Sequence, residues 1–222
     1  MNAAAEFVAE RGFHGMSMRD LAKATGKNIS TLYNDFPSKE ALLLAIQLRA
    51  FQNLCDTAEQ VCAQQVRGAA VPGDVTAAQD RLFAFIYQHV HYVLSNQAVM
   101  RLLVTEASAL DPASRAQVRA LKTRYFVQLR DIVAEFCTCP PGDRCVEVAT
   151  YNIFGMLNWV YGWHEPGRHG DAETLARSIY RMALSGLGSC STRAPGEREP
   201  GVPALESSNL LDPVAGHDGG PS

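Results

Sequence analysis

Residues 17–39, SMRDLAKATGKNISTLYNDFPSK, carry two short amphipathic segments that meet across a glycine. In the first segment Met18, Leu21 and Ala22 fall on one face of a helix, and charged residues fall on the opposite face. Gly26 follows, and glycine is the residue that most easily takes the left-handed conformation of a helix end. The stretch therefore predicts a helix, a tight turn and a second helix.

Capping residues support these boundaries. Ser17 and Asn28 can cap the two helices, because their side-chain oxygens accept hydrogen bonds from free backbone amides of the first turn. Ser38 follows a proline and can cap a third helix, with Lys39 in its first turn. A lysine is unfavourable at this positive helix end unless an anion is near. Helix-end amides and Lys39 together predict a phosphate contact.

The second helix predicts a surface that can read DNA. Leu32 and Phe36 stand four apart as inward anchors, which leaves small polar side chains on the outer surface. Hydroxyl and amide groups on a short exposed helix suit the major groove, where they can bond to base edges or phosphates. A helix pair with a glycine turn is by itself more often ordinary packing. The predicted phosphate contact favours DNA binding.

Residues 12–45, GFHGMSMRDLAKATGKNISTLYNDFPSKEALLLA, resemble the DNA-binding signature of the TetR/AcrR family of bacterial transcriptional repressors. The resemblance implies an all-α protein, with an N-terminal three-helix helix-turn-helix DNA-binding domain followed by a helical bundle for ligand binding and dimerisation. It also implies nine DNA-binding residues, namely Ser17, Arg19, Lys27, Asn28, Ser30, Thr31, Tyr33, Asn34 and Lys39. Ser17 and Arg19 would touch the backbone that flanks the groove. Tyr33 and Lys39 would hold phosphates, and Asn28, Ser30, Thr31 and Asn34 would face bases or nearby phosphates.

Three residues depart from the family pattern. Lys27 stands where a small aliphatic residue is usual, and Ile29 stands where a polar residue is usual, so the start of the recognition helix could be turned or shifted. Asp35 would repel a phosphate. These departures leave open a helical interaction module that has lost DNA binding.

Composition and charge are ordinary for one or two globular domains. The chain has 222 residues, of which 47% are hydrophobic and 19% are charged, and its net charge is −3. Residues 1–50 hold six Lys/Arg and five Asp/Glu, which gives +1 and leaves −4 for the remainder. This asymmetry is weak but has the sign that a DNA partner requires, and it predicts modest non-specific affinity.

The N-terminus predicts a cytoplasmic protein. MNAAAEFVAERGF alternates acidic with apolar residues, unlike a signal peptide, and no apolar run reaches the roughly 18 residues that a membrane span needs. The first helix begins almost at the first residue, whereas family members usually have a further turn and a basic arm. Either the natural chain starts further upstream, which we expect, or this protein lacks the phosphate contacts of that arm.

After the beginning of the helix that Ser38 caps, helical periodicity continues without strand alternation or a glycine-rich phosphate loop. The predicted helices cover residues 40–66, 75–95, 97–110, 112–136, 143–163 and 172–187. The predicted domains are the DNA-binding domain over residues 1–45, the ligand-binding and dimerisation domain over residues 46–188, and a disordered Pro/Gly-rich tail over residues 189–222. No set of nucleophile, base and orienting residue is recognisable, so we predict no enzyme, and no cofactor.

Aromatic residues in the bundle predict an apolar pocket. Those at potentially inward positions are Phe83, Tyr87, Tyr92, Tyr125, Phe126, Tyr151, Phe154 and Trp159. All except Tyr92 and Phe126 are ligand-binding candidates, together with the polar His89, Glu106 and Asn158, which can orient an acid or thioester. Most of these aromatic residues, taken singly, are expected in the core.

The last two predicted helices have apolar surface on more than one side, which predicts a four-helix interface between two subunits. Asn158-Trp159, Trp163 and Pro166-Gly167 also resemble the ligand-binding half of family members that sense acyl-CoA thioesters or related acids. The resemblance implies a homodimeric repressor on a pseudo-palindromic double-stranded DNA operator. Its expected effector is an acyl-CoA, a fatty acid or an aromatic acid.

The cysteines leave a different input open. Cys137, Cys139 and Cys145 lie around a Pro-Pro-Gly loop and could serve a redox- or metal-responsive repressor of the same fold. Structural zinc sites favour paired CxxC spacings with a second pair, which this group lacks. The simpler interpretation is free thiols in a reducing cytosol, with no metal site.

Overall fold

The computed structural model describes residues 2–68, 75–106, 109–137 and 144–190, and every regular element in these ranges is a helix. In chain order the helices are α1 (Asn2–Arg11), α2 (Met18–Thr25), α3 (Ile29–Asp35), α4 (Lys39–Gly68), α5 (Val75–Ser95), α6 (Gln97–Thr105), α7 (Pro112–Ala134), α8 (Cys145–Asn158), α9 (Val160–Trp163) and α10 (Ala172–Cys190). The all-α prediction is confirmed. The predicted tail lies outside the described residues, apart from its first two.

The helix-turn-helix has the predicted caps. Ser17 and Asp20 form a reciprocal capping box at the start of α2, and Asn28 Oδ1 accepts from the backbone amide of Ser30 at 2.9 Å. Gly26 ends α2 with φ of 64°, in the left-handed region. Short-range hydrogen bonds therefore set both helix boundaries and the turn between them.

Helix α4 connects the N-terminal helices to the rest of the molecule. Ser38 caps it, with Oγ accepting from the backbone amide of Ala41 at 3.1 Å. Over its 30 residues α4 packs against α5, α6 and α7, while α1 packs against α6. Buried apolar side chains consequently form one continuous cluster from α1 to α10.

Two predicted helices are interrupted several residues before their expected ends. The helix predicted over residues 97–110 ends at Thr105, and Glu106 closes it with its amide donating to the Leu102 carbonyl. The helix predicted over residues 143–163 is divided at Trp159, whose amide donates to the Leu157 carbonyl instead of continuing the α-helical pattern. Apolar periodicity runs through both breaks, so it cannot reveal them.

Helix α10 completes the bundle. Asp171 accepts from the backbone amide of Thr174 at 2.8 Å, as predicted for a cap, and α10 packs against α5 and α8. Tyr151 on α8, Trp159 after it and Met182 on α10 nevertheless leave 58%, 61% and 63% of their surfaces exposed. Among the described residues, no helix is long and apolar enough to cross a membrane.

Candidate functional site

The helix-turn-helix presents most of its predicted DNA-binding residues to solvent. Eight of the nine are exposed, namely Ser17, Arg19, Lys27, Asn28, Ser30, Thr31, Tyr33 and Asn34. Ile29 and Phe36 are partly buried against the core, and Leu32 is fully buried. Ile29 therefore serves as an inward anchor, and the polar side chains of α3 share the outer face.

Lys27 and Asp35 form an ion pair across α3. Lys27 Nζ lies 3.3 Å from Asp35 Oδ2, and about half of each side chain is exposed. An exposed pair of this kind stabilises the fold by no more than about 1 kcal/mol. Its larger effect is electrostatic, because Asp35 neutralises a cation on the predicted reading surface, which is the set of exposed, predicted DNA-binding side chains of residues 17–34.

Lys39 is held by the segment that precedes α2. Its Nζ donates to the Phe13 carbonyl at 3.3 Å and stands 4.8 Å from the centre of the Phe13 ring. The ammonium is therefore positioned within the chain, and two of its three N–H groups are left for a phosphate. This contact joins residues 26 positions apart, and local sequence patterns do not predict it.

A cavity of about 410 Å³, the effector cleft, lies between α4, α5, α6, α7 and α8. Its lining residues are Phe51, Leu54, His89, Met100, Leu103, Val104, Lys122, Thr123, Tyr125, Phe126, Tyr151, Phe154 and Asn158. Most of its buried lining is apolar, whereas Lys122, Thr123 and Asn158 are exposed at its mouth. An apolar cavity of this size with a few polar groups is the usual form of a small-molecule site.

His89 and Tyr125 form the polar part of the buried floor. His89 Nδ1 lies 3.0 Å from the Tyr125 hydroxyl, and the two rings are stacked with centres 5.8 Å apart. Burial lowers the pKa of His89 to about 4 and raises that of Tyr125 well above its ordinary value. Both side chains are therefore neutral at pH 7.

Lys122 provides a positive charge at the mouth. Its Nζ stands 5.2 Å from the centre of the Phe51 ring, and partial burial lowers its pKa. The ammonium thus lies over an aromatic ring of the lining, and the residue as a whole is exposed. Among the described residues, no carboxylate lies within ion-pairing distance of this ammonium.

Five of the nine predicted ligand-binding residues line the cleft, namely His89, Tyr125, Tyr151, Phe154 and Asn158. Phe83 and Tyr87 do not, because they lie on the opposite side of α5, where the Phe83 ring packs edge-on to Tyr180 at 5.5 Å and Tyr87 stacks on His91. Residues two apart on a helix point about 200° away from each other, so His89 and Tyr87 cannot face one cavity.

Glu106 and Trp159 also lie outside the cleft lining. Glu106 follows the last residue of α6, and Trp159 stands exposed at the break between α8 and α9, with its ring edge-on to Tyr161. The early helix ends explain both differences, because the predictions assumed continuous helices.

Sequence reasoning missed most of the cleft. The residues that it did not assign to a ligand site are Phe51, Leu54, Met100, Leu103, Val104, Lys122, Thr123 and Phe126, of which only Phe126 was an inward candidate. Lys122 had a usable signal, because it stands four residues after Val118 and three before Tyr125, on the helix face that carries these two buried residues.

The cysteine group is only partly described. Cys145 is disulfide-bonded, so the interpretation as free thiols is wrong for this residue. Cys137 is a partly buried thiol, and Cys139 lies outside the described residues. Among the described residues, no group of three or more His, Cys, Asp or Glu is placed to hold a metal ion.

An exposed, doubly capped helix-turn-helix joined by one long helix to a bundle with a cavity defines a one-component helix-turn-helix regulator. Comparison with known families agrees. The bacterial regulatory protein tetR family model matches residues 1–46, and the tetracyclin repressor-like C-terminal domain model matches residues 75–187. The chain belongs to the TetR family of transcriptional regulators.

Individual relatives differ in how much of the chain they match. UidR of Escherichia coli (strain K12) is 47% identical over 49 residues, and this match spans 22% of the chain and only a quarter of UidR. The transcriptional repressor KstR2 of Rhodococcus jostii (strain RHA1) is 25% identical over 211 residues, which cover 85% of this chain and 89% of KstR2. The likeness to UidR is thus confined to a short segment.

Solved structures share the fold. PfmR from Thermus thermophilus matches with a TM-score of 0.70 and 27% identity, over 83% of this chain and 96% of PfmR. AibR in complex with isovaleryl coenzyme A and operator DNA matches with a TM-score of 0.63 and 24% identity, over 82% of this chain and 94% of AibR.

Proposed function

We propose that the chain is a homodimeric repressor that binds a pseudo-palindromic operator through α2 and α3, and is released when a small hydrophobic acid or acyl-CoA-like effector occupies the effector cleft. The observation that supports this proposal most directly is the continuity of α4. This helix begins at Lys39, directly after the reading surface, and its Phe51 and Leu54 line the cleft. A ligand that tilts α4 therefore also moves the point at which the DNA-reading helices are attached.

On DNA, the helix-turn-helix units of the two subunits enter successive major grooves. Their recognition helices must then stand about 34 to 36 Å apart, or a multiple of that distance. The exposed side chains of α2 and α3 contact bases and phosphates, and Lys39 adds its remaining donors to a phosphate. We expect this to take place in the cytoplasm, where operator DNA is accessible.

The effector acts by preferring the conformation in which this spacing is wrong. Its effect on operator affinity is bounded by its difference in affinity for the two conformations, typically about 1–3 kcal/mol per site. The aromatic and aliphatic lining of the cleft favours an apolar body, and Lys122 favours an acidic group. AibR shows that this fold also serves a regulator that is bound by an acyl-CoA.

The proposed dimer forms through α8 and α10. These helices pack against each other and carry Val148, Tyr151 and Met182, each more than half exposed. Large apolar side chains on two neighbouring helices are what a four-helix interface between identical subunits buries. The partner would also cover the mouth of the cleft, because Tyr151 belongs to both surfaces.

The test begins with an operator selected from a random double-stranded DNA library by the purified chain. Fluorescence anisotropy then measures the affinity of Arg19→Ala and Tyr33→Ala, which we expect to fall about tenfold each while the dimer stays intact. Arg119→Ala, an exposed arginine on α7, is the control and should bind as the wild type does. If no salt-dependent DNA binding is found even with a longer N-terminus, the chain is an interaction module instead.

A redox-responsive repressor is a second candidate, favoured by the disulfide-bonded state of Cys145. In that case dithiothreitol would change operator affinity in the wild type and have no effect in Cys145→Ser. Equal affinities with and without reductant would exclude this input and leave the effector cleft as the regulated site.

A further inference from the structure

His89 has a polar atom with no partner at the floor of the effector cleft. Only 1% of the residue is exposed, its ring lines the cavity, and its Nε2 has no hydrogen-bond partner among the described residues. A buried polar atom without a partner is costly, so it is rarely left unsatisfied unless a ligand or water completes it.

The contact with Tyr125 determines which hydrogen-bonding role Nε2 plays. If the Tyr125 hydroxyl donates to Nδ1, the proton of His89 is on Nε2, and one buried N–H lacks an acceptor. If Nδ1–H donates instead, both the Tyr125 hydroxyl proton and the Nε2 lone pair lack partners among the described residues. The first arrangement leaves fewer unsatisfied groups, so Nε2 is a donor. Since Nδ1 is engaged with Tyr125, Nε2–H is the donor of His89 that remains for a ligand in the cleft.

The floor and the mouth of the cleft accept different chemical groups. A neutral imidazole supplies no positive charge, so an ionised carboxylate at the floor would be buried without a counter-ion. Lys122 at the mouth supplies that charge. Met100, Leu103 and Phe154, which also line the cleft, are buried and apolar. The cleft therefore has a donor at its inner end, an apolar middle and a cation at its outer end.

We propose that the effector is an apolar carboxylate with a second, neutral oxygen far from the acid group. The inner oxygen, a keto or hydroxyl oxygen, accepts from His89 Nε2–H, and the carboxylate pairs with Lys122. Tyr125 is a positioning residue that keeps the proton of His89 on Nε2. This inference rests on the proposed function and specifies the class of effector. An acid with a plain hydrocarbon tail would leave the His89 donor unsatisfied.

The test compares matched ligands on the full-length chain by isothermal titration calorimetry. The probes are octanoate, 7-oxooctanoate and 2-octanone, with oxo acids of six to ten carbons to cover the length of the cleft. We expect the best oxo acid to bind about five- to tenfold more tightly than the plain acid of equal length, which is the ratio that one buried hydrogen bond supplies. Equal binding of the two acids, or binding of no probe, would overturn the proposal.

Two variants test which residue binds each end of the effector. In His89→Leu the advantage of the oxo acid should vanish while octanoate binds at least as well as before. In Lys122→Met both acids should bind about tenfold more weakly and 2-octanone should be unaffected, because methionine keeps the contact with Phe51 but not the charge. Arg119→Met is the control for loss of a cation on α7. If either variant leaves the affinities of all three probes unchanged, its residue does not contact the effector.

A measurement without ligand covers the case in which His89→Leu does not fold. Two-bond ¹H–¹⁵N correlation spectra of the wild type should show His89 protonated on Nε2, and Tyr125→Phe should shift the population toward a mixture of tautomers. Protonation of Nδ1 in the wild type would overturn the proposal. Operator binding is measured on the same samples, so that loss of DNA binding, which contradicts the proposed function, is distinguished from loss of effector specificity.

Discussion

At the scale of the residue, His89 combines a structural cost with a proposed role in binding. Together with Gln47 and Thr150 it is one of three buried polar residues in the described part of the chain, and burial lowers its pKa to about 4. The folded protein therefore keeps this imidazole neutral at pH values where the unfolded chain binds a proton. The same neutrality allows Nε2–H to donate to an uncharged oxygen.

The stability of the protein should consequently depend on pH through His89. Its pKa is lower in the folded than in the unfolded state, so its contribution is fully present above about pH 6.5 and is lost as pH falls toward 4. Between pH 7.5 and pH 5 we expect the free energy of unfolding to fall by about 2 kcal/mol. Urea unfolding at fixed protein concentration measures this. His89→Leu should show a smaller fall and His91→Gln the wild-type fall; equal falls in all three would contradict the assignment.

Asp35 makes a second prediction for single residues. Asp35→Asn removes a negative charge beside the reading surface and releases Lys27 to bind a phosphate. We expect operator affinity to rise about three- to tenfold and the slope of log affinity against log salt to steepen by about 1. Fluorescence anisotropy across salt concentrations measures both. The gain should largely disappear in the double variant with Lys27→Met, and a weaker-binding Asp35→Asn would show that Asp35 contacts a base instead.

At the scale of the element, the turn between α2 and α3 depends on one glycine. Gly26 has φ of 64°, and a Cβ added there would meet no atom within 4 Å. Any cost of substitution therefore comes from the backbone conformation and not from crowding.

Gly26→Ala should lower the free energy of unfolding by about 1–2 kcal/mol, because the left-handed conformation is unfavourable for a residue with a Cβ. Operator affinity should fall as well, since the two helices share this turn. Gly26→Asn is the matched control and should lose less, because asparagine tolerates this conformation. Urea unfolding ranks the three chains, and an alanine variant as stable as the wild type would mean that the turn has another conformation in solution.

Helix α5 shows why the sequence alone could not predict the whole site. Its buried residues Leu82, Phe85, Ile86, Val90 and Val93 follow the predicted helical periodicity. The helix also has the aromatic residues Phe83 and Tyr87 on a second face. Periodicity assigns each residue to a face of the helix, but it does not say which neighbouring helix packs against that face. The cleft and α10 lie on different sides of α5, and this arrangement is a property of tertiary packing.

At the scale of the whole molecule, the proposed regulation requires two copies of the chain. Met182→Glu places a charge in the proposed interface, where its burial without a partner is unfavourable. We expect the dimer dissociation constant to rise at least about tenfold, and operator binding to weaken with it because two half-sites are read together. Sedimentation equilibrium measures the first effect and anisotropy the second.

Ala116→Glu adds the same charge at an exposed position of α7 and is the control for this substitution. A dimer that is unaffected by Met182→Glu would place the subunit interface on another surface. The operator measurement would then still report whether the helix-turn-helix folds normally in the variant.

The sequence by itself determined the helical class, the family, the caps at Ser17, Asn28 and Asp171, and the turn at Gly26. These features depend on residues within about one helical turn of each other, so their interactions can be read from spacing. Tertiary structure decided that Lys39 reaches Phe13 and that Lys122 and His89 line one cleft. Such contacts join residues far apart in the chain, and which apolar faces meet is decided by the packing of all the helices together.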